Sequence, residues 1–180
     1  MNDLILLAML ADGPQHGYQL KQQAGFILGH GAMHNNLVYP LLRRFTAAGW
    51  VTKKTVPGER GQTRQIYALT ATGRKELLSR LSNYTETDAS NVRAFIARVG
   101  MFELLPQQTR AEIMNRRQAF LSARQQRLKA MSENLELGVF GAEVVRHVSA
   151  LTRSELAWIR CLRRIKPEEK HHSQGASHAT

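Results

Sequence analysis

Between Asn35 and Lys75, eight cationic side chains (Arg43, Arg44, Lys53, Lys54, Arg60, Arg64, Arg74 and Lys75) stand against one acid, Glu59, for a net charge of plus seven in 41 residues. The stretch from Met1 to His34 has one Lys and two Asp, a net charge of minus one. A local excess of this size suits a polyanion. Guanidinium groups pair with phosphate oxygens and with the O6/N7 edge of guanine, and Asn amides match the adenine edge. The candidates for such contacts are Asn35, Asn36, Arg43 and Arg44 in one group and Arg60, Thr63 and Arg64 in another. Tyr39 either reaches a phosphate through its hydroxyl or packs its ring under a helix. The same charges scattered on an unspecialised surface would only be solvated, so the elements that carry them decide.

Other chemistry finds little support. The acids are scattered, the only adjacent pair being Glu168-Glu169, and there is no nucleophile elbow or phosphate loop. No enzyme is expected. Three of the seven histidines, His171, His172 and His178, lie at the C-terminal end, and Cys161 is far in sequence from every His except His147 and those three. No metal and no cofactor are expected. His16 reads as a residue fixing a turn. The 180 residues, 20.3 kDa, suffice for one domain or for a small domain with a helical appendage. Hydrophobic residues at 43% exclude wholesale disorder, and the net charge of +11 again indicates a polyanionic partner. One cysteine cannot form an internal disulfide, which points to a reduced, cytoplasmic setting, the alternative being a thiol that joins two chains. The early apolar run, Leu4 to Ala11, is too short for a signal peptide or a membrane span.

The elements that position the cations follow from periodicity. Asp3 to Ala11 predicts a short core helix stopped by Asp12-Gly13-Pro14. Gly17 to about Leu28 predicts a second, with Tyr18, Leu20, Ala24 and Ile27 or Leu28 at helical spacing. A third, from Asn36 or Leu37 to Ala48, turns Leu37, Leu41, Leu42 and Phe45 inward and Arg43, Arg44 and Thr46 outward, with Gly49 as its stop. Trp50 to Thr55 and Gln65 to Leu69 read as strands around a turn-rich connection. A fourth helix follows, capped by Thr70 or Thr72. Three short helices and a two-stranded hairpin with a basic tip are the plan of a winged helix-turn-helix. A major groove about 12 Å wide accepts one helix, and the hairpin reaches neighbouring phosphates or the minor groove. The expected partner is double-stranded DNA, with most of the charge positioning the protein rather than reading bases. The alternative is a winged-helix module that binds other proteins without specific DNA binding, its cations serving solubility.

From Asp88 onward the pattern is helical. Ala89 to Leu105 carries the stripe Val92, Phe95, Ile96, Val99 and Phe102, and Pro106 breaks it. Ile113, Phe120, Leu128, Met131 and Leu135 mark a helix of roughly thirty residues, near 45 Å. Ala142 to Lys166 places Val144, Val148, Leu151, Glu155, Trp158, Leu162 and Ile165 on one coiled-coil-like seam. Glu155 either lies at its edge or pairs with an arginine of a neighbouring helix. Self-association through Val144, Val148, Leu151, Trp158, Leu162 and Ile165 would cover the stripe. The alternative is an intrachain hairpin of Pro106–Leu137 on Ala142–Lys166. A homodimer would set two recognition helices roughly 34–36 Å apart, matching a palindromic operator. The fold expected is mainly α: a winged helix-turn-helix with a two-stranded wing over 1–85, a helical dimerisation and effector domain with a long coiled-coil-like helix over 86–166, and a disordered tail over 167–180. Apolar surface at Phe95, Val99, Phe102 and Trp158, with His147 nearby and Arg98 to meet a carboxylate, is the candidate effector site, against plain core packing.

Four segments together resemble the PadR family of bacterial transcriptional regulators: His16-Gly17-Tyr18-Gln19-Leu20, Val38-Tyr39-Pro40-Leu41-Leu42-Arg43-Arg44-Phe45, Ala48-Gly49-Trp50-Val51, and Arg64-Gln65-Ile66-Tyr67-Ala68-Leu69-Thr70-Ala71-Thr72-Gly73. The resemblance covers about the first 80 residues. It implies a dimeric, operator-binding protein, usually a repressor, released from DNA by a small effector such as a phenolic acid. It also implies that Tyr39 and Pro40 open the recognition helix, that Arg43 and Arg44 follow as its polar positions, that Tyr67 is an aromatic of the second wing strand, and that Gly73 opens the helix after the wing. The chain departs from the family pattern at Leu37, where a small hydroxyl residue is usual.

Overall fold

Along the chain the elements are α1 (Asn2–Met9), β1 (Gln15–His16), α2 (Gly17–Leu28), α3 (Asn35–Ala47), β2 (Val51–Pro57), β3 (Thr63–Leu69), α4 (Ala71–Ser82), α5 (Glu86–Ser90), α6 (Val92–Val99), a 3-10 turn (Phe102–Leu104), α7 (Gln107–Asn134) and α8 (Val139–Leu162). The computed structural model describes residues 2–28, 35–57 and 62–165. The fold is mainly helical with a small antiparallel sheet, in the order β1-β3-β2. The wing therefore has a third strand that periodicity did not announce. A two-residue strand has no repeat to detect; β1 forms because Gln15 and His16 find Tyr67 and Ile66 across from them.

Local chemistry sets the ends of the helices. At the end of α3, Gly49 adopts φ 72°, and the Trp50 N–H donates to the Phe45 carbonyl at 2.9 Å, the six-to-one bond of a Schellman stop. Pro40 sits inside α3 and has no N–H for the carbonyl four residues back, so this helix lacks one internal bond. Between the two candidate caps of α4, Thr70 is the one used. Its Oγ accepts from the Gly73 N–H and donates to the Gly49 and Trp50 carbonyls, tying the helix start to the beginning of the wing. Thr85 and Asp88 form a reciprocal capping box on α5. Asn91 then accepts from the Arg93 and Ala94 amides, restarting the helix. The segment Ala89–Leu105, expected as one helix, is therefore broken at Asn91 and again after Val99.

The core of the winged part is built from Leu4, Ile5, Leu6, Leu7 and Leu10, with Leu20, Val38, Leu42, Phe45, Val51, Leu77 and Leu81, all buried. Four consecutive buried residues in α1 mean that it is enclosed nearly all round, as a helix apolar on every face must be.

The chain divides into two compact units, residues 1–117 and 118–180. This differs from a boundary at 85/86. The reason lies in two buried arginines. Arg98 of α6 donates to the Leu81 and Asn83 carbonyls and to Asp88, and Arg117 of α7 donates to the Ala89 carbonyl at 2.6 Å. These bonds attach α5, α6 and the start of α7 to the end of α4. In the second unit α7 and α8 run as a hairpin, with Arg163 donating to Gln118 at 2.9 Å. Its α8 starts at Val139, three residues before Ala142. The stretch 167–180 lies outside the described residues.

Candidate nucleic-acid interface

Helix α3 buries Val38, Leu41, Leu42 and Phe45 and exposes Tyr39, Pro40, Arg43, Arg44 and Ala47. Leu41, Leu42 and Phe45 are inward as expected, while Val38 takes the buried place expected of Leu37, which is half-buried, and Thr46, expected outward, is half-buried with its hydroxyl donating to the Leu42 carbonyl. The outward face is where a groove-reading helix would carry its contacts. The two adjacent arginines serve different neighbours. Arg44 turns toward α1, with its guanidinium 3.6 Å from the Asp3 carboxylate and over the Phe45 ring. Asp3 also accepts from Arg80 at 2.7 Å, while Arg80 bonds Glu76 and stacks on Trp50, 4.6 Å from its centroid. Burial pushes the Asp3 carboxyl up, but hydrogen bonding and nearby positive charge, including Arg80, bring it below its ordinary value.

Arg43 leaves the helix about 100° round from Arg44 and acts electrostatically on Tyr67 of the wing. There burial and the neighbouring Tyr39 push the Tyr67 hydroxyl up, and Arg43 acts in the opposite direction. Both tyrosine rings close on Gly17 at the start of α2: a Cβ built there would lie 3.2 Å from a ring carbon of each. Tyr39 thus packs its ring as well as exposing part of it, 37% in relative terms.

The wing registers Val51 opposite Leu69, Lys53 opposite Tyr67, Thr55 opposite Gln65 and Pro57 opposite Thr63. Residues directly opposed leave an antiparallel ladder on the same face. Thr63 and Lys53 therefore share the face of Tyr67, on which Tyr39 and Arg43 also border, while Arg64 and Lys54 leave on the other. Lys53 was not among the expected contacts. Counting alternation back from Tyr67 once the register is known would have found it, but the register depends on a nine-residue connection that the sequence leaves open. Arg60 lies outside the described residues, and so do the side chains of Asn35 and Asn36, whose backbone opens α3.

The residues expected to form an effector site fall in two places. Phe95, Arg98, Val99 and Phe102 belong to the first unit and His147 and Trp158 to the second. Phe95 is fully buried, with Arg117 over its ring. Arg98 is buried, and its guanidinium is engaged by the Leu81, Asn83 and Ala94 carbonyls, by Asp88 and by the Tyr84 ring. His147 is exposed and Trp158 is on the border of exposure. Of the seam residues, Val144, Leu151, Trp158 and Ile165 face outward, while Val148 and Leu162 are half-buried. The line that α8 buries is one position away: Val145, Thr152 and Ile159.

Among the described residues no group of three His, Cys, Asp or Glu is placed to hold a metal, and no helix is long and apolar enough to cross a membrane. Residues 6–79 match the family model described as the transcriptional regulator PadR-like family. Solved structures similar to the chain include a Thermoplasma acidophilum protein, at 28% identity over 44% of this chain and 75% of that one, TM-score 0.41. Bacillus subtilis PadR in complex with operator DNA is 19% identical over 89% of this chain and 96% of that one, TM-score 0.45. The same Bacillus subtilis protein in complex with p-coumaric acid is 17% identical over 89% and 92%, TM-score 0.41. No curated protein matches the chain.

Proposed function

From the premise that residues 6–79 form a PadR-like winged helix, we propose that this protein is a sequence-specific DNA-binding transcriptional regulator of the cytoplasm, acting as a homodimer and as a repressor released by a small aromatic acid. The observation that carries the reading is the open face of α3. It presents Arg43 beside a wing whose Lys53 and Thr63 leave on the adjoining face, within the segment that carries the plus-seven charge. In this reading α3 enters the major groove. Arg43 and the Asn35 and Asn36 amides reach base edges, while Arg44 and the wing residues Arg60, Thr63 and Arg64 hold the backbone. Tyr39 supports α3 through its ring and offers its hydroxyl at the rim.

Support for a dimer comes from α8. Leu151 is 57% and Val144 60% exposed, although the hairpin within the second unit already covers Val145, Thr152 and Ile159. A row of large apolar side chains left uncovered on a 24-residue helix is what a second copy of the same helix would bury. Release by an aromatic acid rests on the family resemblance; Phe95, Arg98, Val99 and Phe102 of the first unit and, separately, His147 and Trp158 of the second are the contacts proposed, and Phe95 is fully buried. Arg98 is the weakest of that set, because the carbonyls and Asp88 already occupy its guanidinium.

Footprinting on the promoter next to the protein's own gene tests the reading in one experiment. The expected result is a protected palindrome with two half-sites about one helical turn apart, lost on adding a phenolic acid such as 4-hydroxycinnamate. No protection at low salt would favour the protein-binding alternative. Protection that ignores the acid would leave DNA binding and remove that effector class.

A further inference from the structure

The second unit contains a cleft of about 840 Å³ between the C-terminal half of α7 and the N-terminal half of α8. That is within the range of small-molecule sites, roughly 300–1,000 Å³. None of the candidate DNA or effector residues lines it. Its chemistry is specific. Lys129 of α7 and Arg146 and Arg153 of α8 open on it, no Asp or Glu does, and Leu128, Leu135, Leu137 and Val145 supply apolar wall. Arg146 and Arg153 are seven residues apart, two helical turns, so α8 presents both on one face.

The carboxylates available to these cations are outside the cleft. Lys129 is 3.7 Å from Glu133 and Arg146 pairs with Glu143, each along its own helix and at the exposed surface. Arg153 has no ion pair or hydrogen bond among the described residues. Helices of a hairpin ordinarily close on each other with apolar knobs in apolar grooves. Here serines, glutamines and cations alternate with leucines on the facing sides, and the space between them stays open. Three positive groups around one recess raise its potential, which an anion relieves. The leucines add a demand for apolar surface on the same molecule.

We infer that this cleft binds a small amphipathic organic carboxylate, its charged end among Lys129, Arg146 and Arg153 and its apolar body against Leu128, Leu135 and Val145. The inference is independent of DNA binding, since neither the site nor its test involves DNA. The test is calorimetric titration of the full chain with decanoate, with acetate and decanol as probes of charge alone and chain alone. Decanoate saturates one site per chain. Acetate and decanol bind at least tenfold more weakly. Arg153→Gln and Lys129→Gln each weaken decanoate at least fivefold with helicity unchanged by circular dichroism, and Arg127→Gln, an exposed α7 cation that does not line the cleft, leaves it as it was. Decanol binding as tightly as decanoate, equal affinities for Arg153→Gln and Arg127→Gln, or no saturable binding would each overturn the inference. The last of these is also what a cleft closed by a second copy of the chain would give.

Discussion

Arg43 and Arg44 are neighbours in sequence and have the same chemistry, yet one residue step of helix geometry gives them different work. Successive residues on a helix point about 100° apart, which sends Arg43 toward Tyr67 and Arg44 toward Asp3. In the regulator reading, Arg43→Ala costs about 1–3 kcal/mol of operator affinity, roughly 5- to 150-fold, and relaxes discrimination at one base position; fluorescence anisotropy on a set of single-base variants measures both. Asp3→Asn does the opposite at the backbone. With its acid neutralised, Arg44 is freer to meet a phosphate, and binding at low salt tightens. The same substitution has a signature in stability. Because the folded Asp3 carboxyl sits below its ordinary value of 3.8, its contribution is present above that pH and is lost as pH falls through the lowered folded value. The wild-type chain and Asp3→Asn should thus differ in urea midpoint near neutrality and converge once the pH falls below the lowered folded value. A difference that persisted at low pH would remove the carboxylate from the account.

Among the elements, the junction of wing and α4 is the tightest. A Cβ on Gly73 would lie 2.0 Å from the Trp50 carbonyl oxygen, and the atom in its way is backbone that cannot rotate aside. Gly73→Ala is expected to lose about 3 kcal/mol, at the upper end of what overpacking costs, or to push the wing off α4. Thermal unfolding reads the first outcome and loss of DNA affinity with a retained melting temperature reads the second. Gly73 was expected from family resemblance to open this helix, and Thr70 was one of two candidate caps. What those expectations lacked was the Trp50 carbonyl, 23 residues earlier in the chain. Its position against Gly73 and Thr70 exists only once β2 and β3 have paired. The two-residue β1 and the breaks in 89–105 leave no local sequence signal for related reasons. One is too short to have a period, and the others fall where Asn91 caps a helix inside an otherwise continuous apolar stripe.

At the scale of the whole molecule, the regulator reading requires two copies. Leu151→Glu places a charge in the exposed seam of α8, where the side chain is 57% exposed. The expected outcome is a folded 20.3 kDa particle by light scattering, with unchanged helicity and operator affinity reduced by at least tenfold, because a single half-site loses the second set of contacts. A variant that remains dimeric would move the interface off this seam. The heptad-like row Val144, Leu151, Trp158 and Ile165 is present in the sequence, and so is the row Val145, Thr152 and Ile159. Only the second is covered within the chain.

The sequence alone determined the helices and the two long strands of the winged helix, though not β1, and the region of positive charge. Helix periods, the Gly49 stop and the run of arginines and lysines are local properties, set by residues within a few positions of one another. Tertiary structure decided which arginine of the pair faces the wing, which side of the wing Thr63 and Arg64 each occupy, where the chain divides into two units, and that Arg98 and Arg117 bind carbonyls inside the first unit. Those outcomes depend on hydrogen bonds and packing between residues 10 to 77 positions apart, which no local pattern encodes because each is fixed only when several elements have already met.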